Sequence, residues 1–270
     1  MAAAAEPLAL GCAAPRIALP LVRRLDWLAA RAWPPLYIER QRGWLLRRND
    51  GEFHRANSVL ARHGWAGFAP DSAIADVEAH YTAAGLPPTW QISPASQPAG
   101  LDDRLAVRGY RLDDPVHILT RPLAGLDSVL PACGRTLRIT TAGRASRAWL
   151  DTCWPADEHP GRRDNGARLL QRIRPATVFI LASCDNIPAA SGLVVAERGW
   201  AGVFCMRTAP RFRRRGAARA ILRAAAEAAA ALGGRQIYLQ VEAANQPAIA
   251  LYTTAGFAPA YGYHYRVADG

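Results

Sequence analysis

One short stretch carries residues whose types and spacing indicate chemistry: residues 206–220 read MRTAPRFRRRGAARA. At its centre, the small residues 216–218 (Gly-Ala-Ala) follow three arginines at the predicted start of a helix. Small side chains leave the backbone N–H groups of a helix start open to a ligand, and the helix dipole favours an anion there. The neighbouring arginines can add charge-assisted hydrogen bonds. We therefore predict a phosphate-binding site at this helix start.

The elements that must position this site are readable from apolar runs and from Gly and Pro. Before it, β-branched runs predict a strand meander at 177–184, 191–197 and 200–208. After it, the pattern predicts helix 216–232, strand 236–242, helix 247–255 and strand 262–267. Two short helices, 147–154 and 165–172, are predicted around a polar loop upstream. Strands mixed with helices predict an α/β fold with a mixed, mostly antiparallel sheet flanked by helices.

The first half of the chain contains an echo of the second. TWQISPASQPAG (89–100) matches YLQVEAANQPAI (238–249) in register, and Gly109 lies where Gly256 lies, with two extra residues between. A helix-like segment, 71–84, precedes the first copy as the alanine-rich helix precedes the second. We interpret this as two copies of one fold. A chance match from shared Ala and Pro bias is the alternative.

The second half resembles the GNAT (GCN5-related) N-acetyltransferases. Thr208-x-Pro210 with Arg213-x-x-Gly216-x-Ala218 before a helix is similar to the family's acyl-CoA motif. LQVEAANQPAIALYTTAGF (239–257) resembles the family's second motif, in order and at the right separation. The resemblance covers residues 136–268 closely and the first half faintly. It implies two tandem GNAT-like domains and a splay between the fourth and fifth strands of the second.

The resemblance also implies roles for matching positions. Main-chain groups of the strand end at Met206, Arg207 and Thr208 would pair with the pantetheine arm of acetyl-CoA. The amides of six residues would surround its pyrophosphate: Arg213, Arg214, Arg215, Gly216, Ala217 and Ala218. Asn245 would contact the pantetheine, and Tyr252 would direct its hydroxyl at the sulfur.

Acyl transfer to an amine needs a base, a stabilised oxyanion and a proton for the thiolate. Glu242, at the end of the strand beside the splay, is the first candidate for the base, and Glu197 and Asp185 are weaker ones. Glu242 could equally cap the next helix. A backbone N–H near Met206 would meet the oxyanion. Tyr252 would protonate the thiolate, because its ordinary pKa is close to that of a thiol.

Other reactive residue types predict less. Cys205 has no nearby His and is expected to be a structural thiol, and the six histidines share no metal spacing, so no metal site is predicted. The loop acids Asp157 and Glu158, with His159, either attract a cationic amine or are solvated. Tyr263 and His264 either line the acceptor side or pack in the strand.

The first half lacks the acyl-CoA motif, carries Ser96 at the place of Asn245, and has no counterpart of Tyr252. We expect it to be a degenerate, non-catalytic copy that shapes the acceptor cleft. Residues 43–59 predict paired strands around an Asn-Asp-Gly turn. Their Arg47, Arg55 and Asn57 face either the cleft or solvent.

Composition sets the remaining bounds. The 33 basic residues are all arginine and the net charge of +11 favours anionic partners without choosing among them. Nucleic acid is not favoured, because no helix-turn-helix, zinc finger or aromatic platform accompanies the charge. Five scattered cysteines without a CxxC pair fit a reducing cytoplasm, and no apolar run is long enough to span a membrane. The start, MAAAAEPLALGCAA, lacks the basic residues of a signal peptide.

The sequence therefore predicts an acetyl-CoA-dependent N-acetyltransferase that acts on a primary amine of a small or amino-acid-like molecule by direct transfer in a ternary complex. A protein or peptide acceptor and a non-enzymatic acyl-CoA-binding regulator are the alternatives. The expected organisation is a disordered N-terminus at 1–15, a degenerate domain at 16–125, a linker at 126–135 and a catalytic domain at 136–270. The protein is expected to be a monomer or homodimer.

Overall fold

A computed structural model describes residues 18–49, 53–62, 69–130, 137–158 and 161–268. The predicted disordered segment 1–15, the turn residues Asp50 and Gly51, and His159 lie outside these ranges. Within them, no helix combines the length and the apolar character needed to cross a membrane.

The first half begins with a helix that Pro20 helps to start, because proline suits the first helical turn. Its helices are α1 (Leu19–Ala32), α2 (Pro70–Thr82) and α3 (Leu101–Val107). Its strands are β1 (Tyr37–Gln41), β2 (Trp44–Arg48), β3 (Val59–Leu60), β4 (Thr89–Ile92) and β5 (Arg111–Pro122). A 3₁₀ turn, His54–Ala56, precedes β3.

The second half follows the predicted order closely. Its helices are α4 (Leu126–Val129), α5 (Arg147–Cys153), α6 (Arg162–Leu170), α7 (Ala217–Ala231) and α8 (Gln246–Thr254). Its strands are β6 (Leu137–Ala142), β7 (Ala176–Cys184), β8 (Ile187–Glu197), β9 (Trp200–Thr208), β10 (Gln236–Glu242) and β11 (Ala258–Val267). Three elements start several residues earlier than predicted: α6, because Gly161 at φ 79° begins the helix, and the strands β8 and β11, which pair from Ile187 and from Ala258 onward.

All of these strands form one sheet, in the order β1-β2-β3-β4-β11-β5-β10-β9-β8-β7-β6. The pairs β3–β4 and β9–β10 are parallel, and the other neighbouring pairs are antiparallel. The sheet has helices on its faces, which confirms the predicted mixed, mostly antiparallel α/β fold.

The centre of the sheet shows an exchange of strands between the two halves. β5 of the first half lies between β10 and β11, and β11 of the second half lies between β4 and β5. The register follows a two-fold relationship: Gln91 pairs with Tyr265, and its counterpart Gln240 pairs with Ile118. Ile118 and Tyr265 each lie nine residues after the matching glycines of the two copies. The repeat seen in the sequence is therefore a repeat of structure.

Alternating side chains of the strands build a core on each face of the sheet. In β8, Leu193 and Val195 join a core with α5 and with α1 of the first half. Val194 and Ala196 join the opposite core with α7. Because α1 packs on the second half's strands, the two halves share a core as well as a sheet.

Arg47 was expected to face the cleft or solvent, and this is wrong: it is buried, and its guanidinium donates to Ser58 and Gln91 at 2.7 Å. The predicted linker begins with α4, whose Leu126 is fully buried. The domain boundaries themselves stay predictions.

Candidate active site

A cleft opens in the second half where two parallel strands separate. β9 and β10 pair only through Trp200–Val203 with Gln236–Leu239. Beyond these residues, β9 continues to Thr208 and β10 to Glu242 without pairing to each other. The predicted splay between the fourth and fifth strands of this half is therefore confirmed, and it exposes backbone groups of both strands to a ligand.

A β-bulge in β9 lies at the mouth of the splay. Ser191 pairs with Arg207 and Leu193 with Phe204, so that Gly192 faces two residues, Cys205 and Met206. Cys205 has a φ of 54°, and its carbonyl accepts a hydrogen bond from Ser191 at 3.1 Å. A bulge leaves one residue out of the hydrogen-bond ladder and redirects its neighbours. The bulge thus interrupts the regular pairing of β9 with β8 next to the splay.

A cavity of about 470 Å³ occupies the splay. Five of the residues predicted to act in catalysis or to bind the donor line it together: Met206, Arg207, Glu242, Asn245 and Tyr252. Thr208 and the segment 213–218 do not line it; they follow at the end of β9 and at the start of α7. The sequence-predicted residues thus form a cavity and, separately, a helix start.

The start of α7 has the properties of an anion site. Gly216 precedes the helix at φ 81°, a conformation that favours glycine, and no side chain caps the first turn. The first turn also carries no acidic residue. Within the described ranges, none of the arginines of segment 213–218 makes an ion pair, while Arg211 and Arg215 lie on the Phe212 ring. Unpaired N–H groups and unneutralised arginines both fit a phosphate.

Comparison with known proteins identifies this arrangement. Residues 144–257 match the acetyltransferase (GNAT) family. The chain is 30% identical over 249 residues to an uncharacterized N-acetyltransferase, YobR, of Bacillus subtilis (strain 168), covering 91% of this chain and 98% of that protein. The chain belongs to the GNAT family. It is an acyltransferase enzyme of the N-acetyltransferase type.

Two solved structures share the fold over nearly the whole chain. A GCN5-related N-acetyltransferase from Kribbella flavida has a TM-score of 0.68 at 15% identity, covering 92% of this chain and 95% of the other. A tandem GNAT protein from the clavulanic acid biosynthesis pathway has a TM-score of 0.64 at 13% identity, covering 90% and 87%. At these identities they show the fold, which includes the tandem arrangement expected from the repeat.

Tyr252 projects from α8 into the GNAT cavity. The residue is 5% exposed, its ring packs against Phe257 at 6.0 Å, and its hydroxyl has no hydrogen-bond partner in the described part of the chain. Burial raises the pKa of Tyr252 to about 12. The sequence suggested a pKa near that of a thiol, whereas the buried phenol holds its proton more strongly.

Asn245 and Glu242 lie at the C-terminal end of β10. The Asn245 side chain accepts a hydrogen bond from the Ala248 N–H at 3.2 Å and so caps α8. Glu242 is exposed at the cavity, opposite Val116 of β5. Since Asn245 is the helix cap, the side chain of Glu242 is not required for that role.

The weaker candidates for a base lie elsewhere. Glu197 pairs with Arg31 at 2.6 Å, and Asp185 lies in the turn after β7; neither lines the cavity. Of the loop acids, Glu158 pairs with Arg207 at 2.6 Å, and Arg207 also donates to the Thr152 carbonyl at 3.0 Å. Arg207 therefore anchors the loop after α5, and its charge neutralises Glu158.

The first half supplies much of the cavity wall, and little in the sequence pointed to this. Trp33, Phe53, Arg55 and Asp114 line the cavity together with residues of the second half. Of these four residues, the sequence singles out only Arg55, which it places either at the cleft or in solvent. The others carry no local signal, because α1 and the 3₁₀ turn reach the site only through the shared sheet.

Of the two β11 residues considered for the acceptor side, only one lies at the cavity. Tyr263 lines the cavity and donates its hydroxyl hydrogen to Gln240 at 2.8 Å, whereas His264 contacts Asp102 at 2.9 Å outside the cavity.

Cys205 lines the cavity beside Cys153, and burial raises the pKa of its thiol, which agrees with the expected structural role. His54, Asp113 and Asp114 have potential ligand atoms within 4.8 Å of one another, at partly exposed positions.

Proposed function

We propose that this GNAT enzyme transfers an acetyl group from acetyl-CoA directly to a primary amine of a small molecule, within a ternary complex. The observation that carries the proposal is the splay of β9 and β10, which joins an uncapped helix start to a cavity containing Tyr252 and Glu242. A phosphate-bearing thioester and an amine can therefore approach each other inside the sheet.

The donor would bind along β9. Backbone groups of Met206 and Thr208, unpaired with β10, would hold the pantetheine arm as an added strand. The N–H groups of Gly216, Ala217 and Ala218, with the arginines before them, would hold the pyrophosphate. Acetyl-CoA supplies an activated carbonyl to the cavity; the remaining steps depend on the protein's own residues.

Two groups would act on the attacking amine and the carbonyl. The Glu242 carboxylate reaches the cavity from β10 and would accept the proton of the amine, since only the neutral amine is nucleophilic. The backbone at the Cys205–Met206 bulge would donate to the oxyanion that forms as the N–C bond is made.

Tyr252 would complete the transfer. When the C–S bond breaks, the thiolate needs a proton, and the buried phenol is the hydroxyl that α8 presents to the cavity. Its pKa of about 12 keeps it protonated until the thiolate develops beside it. Solvent then restores the phenol proton.

Several features favour a small acceptor over a polypeptide. The cavity measures about 470 Å³, and Trp33 and Phe53, next to α1 and the 3₁₀ turn, line its far side.

The free thiols Cys153, Cys184 and Cys205 fit the cytoplasmic location expected from the sequence. The expectation of a monomer or homodimer is retained.

The test is calorimetric titration with acetyl-CoA of the wild type and of Gly216→Glu, which puts bulk and negative charge at the helix start. Gly233→Glu is the matched control, since Gly233 ends the same helix at φ 76° with open space around it, as at Gly216. We expect binding by the wild type and by the control, and loss of binding in Gly216→Glu. Equal binding by all three proteins would reject the donor site.

A further inference from the structure

Two guanidinium groups in the cavity have no role in the chemistry described above. Arg55 belongs to the 3₁₀ turn before β3, and Arg162 is the first residue of α6. Both line the cavity, and the Nε atom of each is buried without a hydrogen-bond partner. Among the described residues, neither arginine makes an ion pair. Both side chains are half-buried, and a buried N–H donor without a partner is costly, so these positions call for a ligand.

Aromatic rings hold both arginines in place. The Arg55 guanidinium lies 5.7 Å from the Trp33 ring and 5.8 Å from the Phe204 ring. The Arg162 guanidinium lies 4.8 Å from the Phe53 ring, which packs against Trp33 at 5.5 Å. The two cations thus lie on neighbouring rings of one cluster. Cation–π contacts orient a guanidinium but do not neutralise its charge.

The position of the pair relative to the reacting centre is also fixed. Arg55 lies on the ring of Phe204, the residue before the bulge at Cys205 and Met206, and Arg162 lies on the Phe53 ring of the same aromatic cluster. The helix start at Gly216 is a different place, because its residues do not line the cavity. The pair is therefore separate from the proposed phosphate site and lies within the cavity.

The cavity also holds negative groups. Glu242 lines it from β10 and Asp114 from β5. A cavity with paired cations at one position and carboxylates at others matches a molecule that carries both an ammonium and an anion. Two guanidinium groups suit a carboxylate, which accepts their N–H groups in planar, bidentate geometry.

We propose that Arg55 and Arg162 bind the carboxylate of the acceptor, and that the acceptor is a free amino acid. This inference rests on the proposed function. The amine of the amino acid would lie on the Glu242 side of the cavity. The reaction forms the N–C bond and breaks the C–S bond, giving an N-acetylamino acid and the thiol of coenzyme A.

The test pairs each proteinogenic amino acid that has an amine counterpart with that decarboxylated amine, such as L-phenylalanine with 2-phenylethylamine. N-acetyl products are measured by mass spectrometry, and binding of the amino acid to the protein is measured by calorimetry both with and without CoA. We expect at least one amino acid to bind and to be acetylated with a KM about tenfold or more below that of its amine, as the loss of charged hydrogen bonds implies. Arg55→Met and Arg162→Met should remove this difference by raising KM more than they lower kcat.

Three controls keep the outcomes distinct. Arg147→Met removes the same charge from a side chain that is 86% exposed, and should behave as the wild type. Arg55→Lys keeps the charge without the planar fork and should lie between. Thermal unfolding and acetyl-CoA titration of each variant show that the fold and the donor site are intact.

If the protein binds acetyl-CoA yet shows no preference for amino acids over their amines, the carboxylate site is rejected and the proposed function stands. A stronger preference for aminoalkyl phosphates would also reject it. If amino acids bind in an Arg55-dependent way but acetyl-CoA does not, the proposed function fails and the carboxylate site stands. Binding of neither ligand rejects both.

Discussion

The Tyr263 hydroxyl donates a hydrogen bond to the Gln240 side chain at 2.8 Å, and this bond reaches across β5. Tyr263 lies opposite Val116 of β5, and Gln240 lies opposite Ile118 of the same strand. The side chains of the second half thus meet over a strand that the first half supplies. The wall of the cavity is therefore a joint product of both halves.

Removing this bond should lower stability modestly. Tyr263→Phe leaves the half-buried Gln240 amide without its partner, which we expect to reduce the free energy of unfolding by about 1 kcal/mol. Gln240→Leu and the double variant complete a cycle in chemical denaturation. Strictly additive losses would contradict a direct interaction between the two side chains.

Asn245 should show two separable roles. Asn245→Ala removes the cap of α8, and we expect it to lower the free energy of unfolding by about 1 kcal/mol. Asn245→Ser keeps a capping oxygen and should restore that stability. If Asn245 also contacts the donor, the serine variant will still bind acetyl-CoA more weakly in calorimetry. Restored affinity in the serine variant would limit Asn245 to capping.

Tyr252→Phe should separate binding from chemistry. Without the phenol proton, we expect kcat to fall about 10²-fold, which is typical for the loss of a general acid. Affinity for acetyl-CoA and the thermal midpoint should change little, because the hydroxyl has no partner among the described residues. Steady-state kinetics and calorimetry check this, and an unchanged kcat would remove Tyr252 from the mechanism.

The same variant predicts a difference in alkaline stability. The folded pKa of Tyr252 is about 12 and the unfolded value is about 10, so between these the folded state binds more protons than the unfolded state. Stability is then fully present below pH 10 and falls as pH rises toward 12. Tyr252→Phe has no titrating phenol, so it should be spared this loss of about 2 kcal/mol at alkaline pH, and its stability at neutral pH should change little. Denaturant curves of both proteins at pH 9 and pH 11.5 measure it, and parallel pH profiles would contradict it.

Gly192 faces the bulge and also lies against α7. A Cβ at this position would lie 2.4 Å from the Ile221 Cγ2 atom. We expect Gly192→Ala to reduce the free energy of unfolding by about 1–3 kcal/mol, because α7 must move from the sheet. Gly143→Ala, where a Cβ meets nothing within 4 Å, is the control. Thermal unfolding measures both, and equal stability of the two variants would contradict the close packing.

Features that depend on neighbouring residues in the chain can be predicted from the sequence. The bounds of β9 and β10 follow from apolar runs, and the start of α7 follows from the position of Gly216. The bulge at Cys205 left no sign, since nothing in WAGVFCMRT marks an extra residue. The burial of Arg47 and the position of Trp33 at the cavity were also not predicted. Both depend on contacts between segments that are far apart in the chain.

The exchange of β5 and β11 also bears on synthesis of the protein. β4 obtains its partner β11 only when Ala258–Val267 has left the ribosome. Until then, the nascent first half presents an unpaired strand edge, which invites association with other chains. Folding of the first half is thus completed by one of the later strands to emerge, and both halves should reach their final form together.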